Sequence, residues 1–335
     1  MSATLRPPTA KVNAVFVRLT NWRYRKRIRN SRLNASNSLR MDEQVVLDRL
    51  AALEIETPSW GYGNSGTRFH VYPWPGAARS VWERIDDAAL VHRLTGCCPS
   101  VALHIPWDRV DDWAALRSHA EEQGIRIGAI NPNLFGEDDY RLGSLCHPDV
   151  RVREHALAHC RGCVDIAREL GSAIISLWLA DGTNYPGQDD LRGRYADDDL
   201  IAGSIDPFEL FRIMREIAAA GATRHVAFMI DQSHNVEGKI DAMIQSVMNI
   251  QTAYAKALLV DEPALAEAQL AGDVLGAHRI LLEAFETDVR PLLGHLRGRL
   301  GVAEDPVAAF REGGFAATRV RERGTASVES AYERL

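Results

Sequence analysis

With 335 residues, 46% of them hydrophobic, the chain can bury a sizeable core as one large domain or two ordinary ones. It has no apolar run of the roughly 18 residues that a membrane helix needs, and its first thirty residues lack the apolar centre of a signal peptide, so the cytoplasm is the expected compartment and a membrane is not an expected partner. The net charge of −6 is uneven: residues 1–40 hold ten of the 39 Lys and Arg and none of the 45 Asp and Glu, which leaves −16 on the rest.

The basic head, "NWRYRKRIRNSRLNASNSLR", interleaves Trp22 and Tyr24 with arginines, as phosphate contact and base stacking would require. No nucleic-acid reading motif follows it. Residues 1–40 are therefore read as a solvated extension, expected to be disordered, and nucleic acid is set aside as a partner. The five cysteines are odd in number and scattered, which argues for reduced thiols rather than a disulfide framework.

From residue 41 two periods alternate. Helical spacing over 41–54 leads to a short strand over 55–60, then to the loop "GYGNSGTRFHVYPWPG", read as long and without a core of its own. Trp82, Ile85, Ala89 and Leu90 mark a helix over 79–94. The apolar strand "SVALHIPW" carries His104, Trp107 and Asp108 at its tip, and the helix of 110–124 leads to the strand "IRIGAINPN". In "HALAHCRGC", His155, His159, Cys160 and Cys163 have a spacing that zinc could use. Val152, Ala156, Cys160, Cys163, Ala167 and Leu170 make the same segment the apolar stripe of a helix over 150–170, and no second ligand pair follows. "SAIISLWLADG" is the next strand, followed by a loop.

Asp197, Asp198 and Asp199 then crowd together before a helix over 207–220. Adjacent carboxylates repel, so they need solvent, a cation or the start of a helix. The last strand is "HVAFMIDQSHN", where Asp231 stands at the mouth of a buried segment and needs a partner. A helical half covers 236–259 and 265–300. Repeated strand–helix units with polar residues at the strand C-terminal ends indicate an α/β fold with a parallel sheet, a (β/α) barrel at this size. The strands number five where a closed barrel has eight, and three more with their helices would take about 90 residues. Hardly anything separates "PGQ" from "RYADDD", so a segment between about residues 190 and 194 reads as absent.

These residues carry a resemblance. "PSWGYGNSGTRF", "IDDAALVHRLTGCCPSVALHIPWD", "LGSLCHP", "LWLADGTNYPGQ", "RYADDDLIAGSIDPFELF", "MIDQSHNV" and "AYAKALLVD" resemble, in this order, the metal-dependent bacterial L-rhamnose isomerases of broad aldose specificity. The likeness runs from about residue 42 to the C-terminus and implies a xylose-isomerase-like (β/α)8 TIM barrel over 41–235, with five of eight strands retained. Residues 236–335 then form a helical extension packing on the barrel or on a neighbouring subunit. The implied chemistry is an aldose–ketose hydride shift assisted by Mn²⁺, or by Mg²⁺ or Co²⁺, on a small sugar.

By motif, Asp197 and Asp199 belong to the family's catalytic metal site and Asp231 to its structural one. The His, Glu and Asp ligands that accompany them fall in the absent segment. His104 would assist ring opening, with Asp108 orienting it, and Trp60, Phe69, Trp107, Phe135 and Trp178 would wall off water. Taken as residues alone, a strand-end His is as readily structural and the tryptophans as readily core. The resemblance also implies a homo-oligomer, with Phe69 near another chain's pocket. Three readings are expected to compete: an isomerase, a non-catalytic deleted relative, and a nucleic-acid binder using the basic arm.

Overall fold

A computed structural model of the chain describes residues 43–67, 70–178, 207–219, 226–227 and 238–325. Contacts divide the chain into Met1–Val45 and Val46–Leu335, and the architecture below is that of the second unit. The basic extension of residues 1–40 lies outside the described residues.

Helix α1 (Glu43–Ala51) leads into β1 (Ile55–Pro58) and a 3-10 turn (Ser59–Tyr62). The stretch expected to be an open loop contains two short strands, β2 (Ser65–Thr67) and β3 (His70–Tyr72), paired antiparallel with Ser65 opposite Tyr72. The pairing satisfies backbone groups that glycine-rich chain would otherwise leave to solvent. Then follow α2 (Val81–Thr95), β4 (Ser100–Ile105), α3 (Trp113–Glu122), β5 (Arg126–Pro132) and α4 (Val150–Leu170). Local chemistry fixes these helix ends. The Ser80 side chain accepts from the Glu83 N–H, Asp112 from Ala115 and Asp149 from Arg151, while Gly96 and Gly171 close α2 and α4 in the left-handed region.

Beyond residue 206 the described elements are α5 (Pro207–Ala219), β6 (Val226–Ala227) and α6 (Lys239–Ala257). Five further helices complete the described elements: α7 (Glu262–Leu270), α8 (Val274–Glu286), α9 (Arg290–Leu300), α10 (Pro306–Glu312) and α11 (Phe315–Arg323). The stretch 265–300, read from spacing as one helical run, is thus broken twice. Gly272 takes φ +70° and Asp273 restarts the chain by capping Gly276; later the run stops at Thr287 and resumes with Pro291 in the first turn of α9.

The main sheet has the order β5–β4–β1–β6, every pair parallel. The first strand therefore lies inside, with the second and third strands of the sheet in sequence on one flank and the last on the other. Helices α4, α3, α2, α6 and α5 pack side by side in the same succession. One continuous helix row following the strand order is the arrangement of a barrel arc; a doubly wound sheet splits its helices between two faces. The segment 172–178, read as the start of the next strand, makes one bridge among its described residues, Ile175 to Ile130, with Leu177 and Trp178 nearly half exposed. Among the described residues no strand pairs on its far side.

Alternation along the strands separates two chemistries. Ile55, Val101, Leu103 and Ile105 join the core with Ile85 of α2 and Met243, Ile244, Val247 and Tyr254 of α6. Each fully buried aliphatic side chain contributes ~1.5–3 kcal/mol. The other face carries Glu56, Ser100, His104 and Asn131, all buried. Ser100 Oγ donates to Glu56 Oε2 at 2.9 Å and the Ala129 N–H to Oε1 at 3.0 Å. A Cβ at Gly128 would lie 1.4 Å from Glu56 Oε2, so only glycine leaves room for this carboxylate.

Candidate active site

The C-terminal ends of β1, β4 and β5 bring five aromatic rings together. The His104 imidazole stacks on Trp107, with centroids 3.7 Å apart and planes 17° apart. Trp60, from the turn after β1, meets His104 edge-on at 5.5 Å, and Phe135, after β5, does so at 5.8 Å. Phe135 in turn packs against Trp107 at 6.1 Å and Trp178 at 4.8 Å. The expected residues Trp60, His104, Trp107, Phe135 and Trp178 thus form one cluster. Phe69, Asp197, Asp199 and Asp231 lie outside the described residues.

Asp108 is buried beneath this cluster, and its carboxylate reaches the backbone of His104 rather than the ring. Its Oδ2 accepts from the His104 N–H at 2.8 Å and from Ser59 Oγ, its Oδ1 accepts from Arg84 Nη1, and its own N–H donates to the His104 carbonyl at 2.8 Å. This reciprocal pair ties off the turn that swings Trp107 back over the imidazole. Motif reading missed Arg84 and Ser59. The available signal was an arginine on the apolar stripe of a helix, among Val81, Ile85 and Ala88.

The His104 Nδ1 is buried without a hydrogen-bond partner. Burial first, then the neighbouring His159 and Arg84, lower the His104 pKa to about 3. The ring is consequently neutral at physiological pH. His159 is also held below the usual imidazole range, chiefly by burial; its Nε2 lies 3.3 Å from the Ile105 carbonyl oxygen and 3.9 Å from Cys163 Sγ. A separate cavity of about 600 Å³ is lined by Pro106, Arg109, Trp113, Glu137, His159 and Cys163, and holds none of the clustered aromatic rings.

The depressed His104 pKa makes the stability of the fold depend on pH. An unfolded histidine binds its proton near pH 6.5, whereas the folded His104 refuses it until about pH 3, so stability is full above 6.5 and falls on acidification through that window. Between pH 7.5 and 5.0, His104 alone is expected to remove about 2 kcal/mol. Urea unfolding midpoints at the two pH values test this. His104→Asn should shrink the difference, and an identical pH response in that variant would refute the assignment.

Among the described residues no three His, Cys, Asp or Glu side chains converge to hold a cation, and no helix is long and apolar enough to cross a membrane. No family model matches the chain. The chain is 32% identical to a probable sugar isomerase of Rhizobium meliloti over 383 positions, covering 84% of this chain and 89% of that protein. It is 30% identical to a probable sugar isomerase of Mesorhizobium japonicum over 394 positions, covering 86% and 91%. Both matches run over more positions than the 335 residues available here, so part of each relative faces no residue of this chain. A shorter similarity, 28% identical over 129 residues, joins 36% of the chain to 32% of the xylose isomerase of Thermus thermophilus. Near-full-length identity of this order, on a parallel α/β sheet with an aromatic pocket at its strand ends, makes the chain a member of the family of these sugar isomerases.

Proposed function

We propose that the chain carries the sugar-binding wall of an aldose–ketose isomerase of the L-rhamnose isomerase type, on a (β/α) barrel that lacks three of its strands. The observation that supports this most is the convergence of Trp60, His104, Trp107, Phe135 and Trp178 at the strand ends. Apolar ring faces suit the C–H faces of a sugar, and a dry wall suits a hydride moving between C1 and C2. The neutral His104 fits hydrogen bonding to a sugar hydroxyl during ring opening, accepting at one nitrogen and donating at the other. Asp108 contributes by holding the backbone from which that ring projects.

Three observations support the absence of strands. The alignments exceed the chain in length, the last described strand lies beside the first as in a closed barrel, and among the described residues no strand pairs beyond Ile175. Asp197, Asp199 and Asp231 are the proposed remnants of the divalent-cation sites, with Mn²⁺ favoured. Among the described residues no group of three His, Cys, Asp or Glu side chains converges to complete them. Residues 41–235 are the proposed barrel portion and 236–335 its helical extension.

A hybrid tests the reading: this chain with the unmatched segment of the Rhizobium meliloti relative inserted between Asp190 and Arg194. It should isomerise L-rhamnose faster than D-xylose in the presence of Mn²⁺, and a reversed preference would reject the L-rhamnose assignment. In the same hybrid His104→Asn is expected to slow turnover of the cyclic aldose by roughly 10²-fold. Unchanged kinetics would make His104 a packing residue.

A further inference from the structure

Arg84 and Asp108 form a buried ion pair whose side chains are 5% and 0% exposed. Arg84 projects from α2. The carboxylate it holds is bonded to two of the segments that carry the rings, that of Trp60 and that of His104 and Trp107. Ser59 Oγ, bonded to Asp108 Oδ2, opens the 3-10 turn bearing Trp60. The His104 N–H, bonded to the same oxygen, belongs to the turn bearing Trp107. The chain after Trp60 is held close as well, since a Cβ at Gly63 would lie 3.5 Å from Arg84 Nη2.

We propose that Arg84 is a positioning residue that fixes the angle between the two walls of the sugar pocket, Trp60 on one and the His104–Trp107 stack on the other, by locking the Asp108 carboxylate between Ser59 and the His104 backbone. This rests on the reading of the cluster as the sugar pocket, but the geometry is testable without turnover. A carboxylate alone has oxygens enough for Ser59 and the backbone N–H. It would sit between them uncompensated, and water would compete for it. A guanidinium supplies a fixed charge from a rigid helix, which holds the carboxylate where it accepts from both segments at once.

The test is NMR of the full chain with labelled histidine and tryptophan. Stacking at 3.7 Å puts the His104 ring protons in the shielding cone of Trp107, so they resonate upfield. Arg84→Met is expected to abolish that upfield displacement and to shift the Trp60 indole N–H, and Arg84→Lys to restore part of both. Asp87→Asn, on the same helix, serves as a control for general destabilisation and should leave both signals in place. Signals unchanged in Arg84→Met, or displaced equally in Asp87→Asn, would overturn the proposal. If Arg84→Met does not fold, Ser59→Ala removes only the hydroxyl. It is expected to shift Trp60 while leaving His104 shielded, and an unmoved Trp60 in that variant would also overturn it. Sugar turnover enters none of these readouts, so a pocket that is rigid but inactive would count against the proposed function and leave this inference standing.

Discussion

Assayed with millimolar Mn²⁺ and L-rhamnose, the 335-residue chain is expected to be at least ~10²-fold slower than the hybrid carrying the inserted segment, and its cation affinity weaker by a similar factor or more. The resemblance leaves the catalytic cation without its imidazole and the structural cation with Asp231 alone. Losing groups that merely support metal ligands costs ~10–100-fold in affinity or activity, and losing the ligands themselves costs more. The sheet adds a second reason. Among the described residues no strand pairs beyond Ile175 or β6, and on the proposed reading these flanks leave backbone N–H and C=O groups open to another chain, so association of copies should accompany the low activity. Calorimetric titration with Mn²⁺ and a ketose assay check both parts. Low-micromolar binding with ordinary turnover in the unmodified chain would show that Asp197, Asp199 and Asp231 find other ligands.

Replacing Asp87 by asparagine is expected to destabilise the fold by about 3–5 kcal/mol, the cost of leaving buried guanidinium groups without their counter-charge. Asp87 on α2 receives both Nη atoms of Arg323 at 2.6 and 2.9 Å, and Arg319 Nε at 2.8 Å. Arg323 is itself buried and donates further to the carbonyls of Gly76 and Glu83. The Gly76 N–H returns a bond to the Gly324 carbonyl at 2.8 Å, so one carboxylate fastens α11 to both α2 and the end of the loop that follows β3. Gly76 takes φ +74°, with Val320 3.2 Å from where a Cβ would stand, which fits this loop closely to α11. Denaturant unfolding gives the energy, and hydrogen exchange should show early loss of protection in residues 315–323. A change below ~1 kcal/mol would mean that the pair is no better than a surface ion pair.

The parts of the site that were legible in the sequence share a local signature. His104, Trp107 and Asp108 follow an apolar alternating run, and that order puts polar and aromatic groups at a strand end. Trp60 likewise follows the short strand β1. Apolar spacing made α2 and α4 legible, and the structure adds the caps Ser80, Asp112 and Asp149, which act on N–H groups two or three residues away. The role of Asp108 was only half legible. Its position suggested a partner for the imidazole, whereas its carboxylate bonds to backbone, Ser59 and Arg84, contacts set by where α2 lies against two strand ends. The hairpin of β2 and β3 was hidden because its glycines and prolines signal a loop whether or not its flanks pair.

What the sequence by itself determined is the set of elements with strong local periodicity and the parallel α/β class, while the residues of the aromatic cluster came from the resemblance. Periodicity is legible because it acts over a few residues at a time. The tertiary structure alone decided that β6 lies beside β1, that Ile175 bridges to Ile130, and that Arg84 and Ser59 share one carboxylate with the His104 turn. The physical reason is that strand neighbours and buried ion pairs are chosen by the closure of the whole sheet and by desolvation between distant segments. A buried charge on a helical stripe announces that a partner exists, but only the packing of α2 against the strand ends says which one.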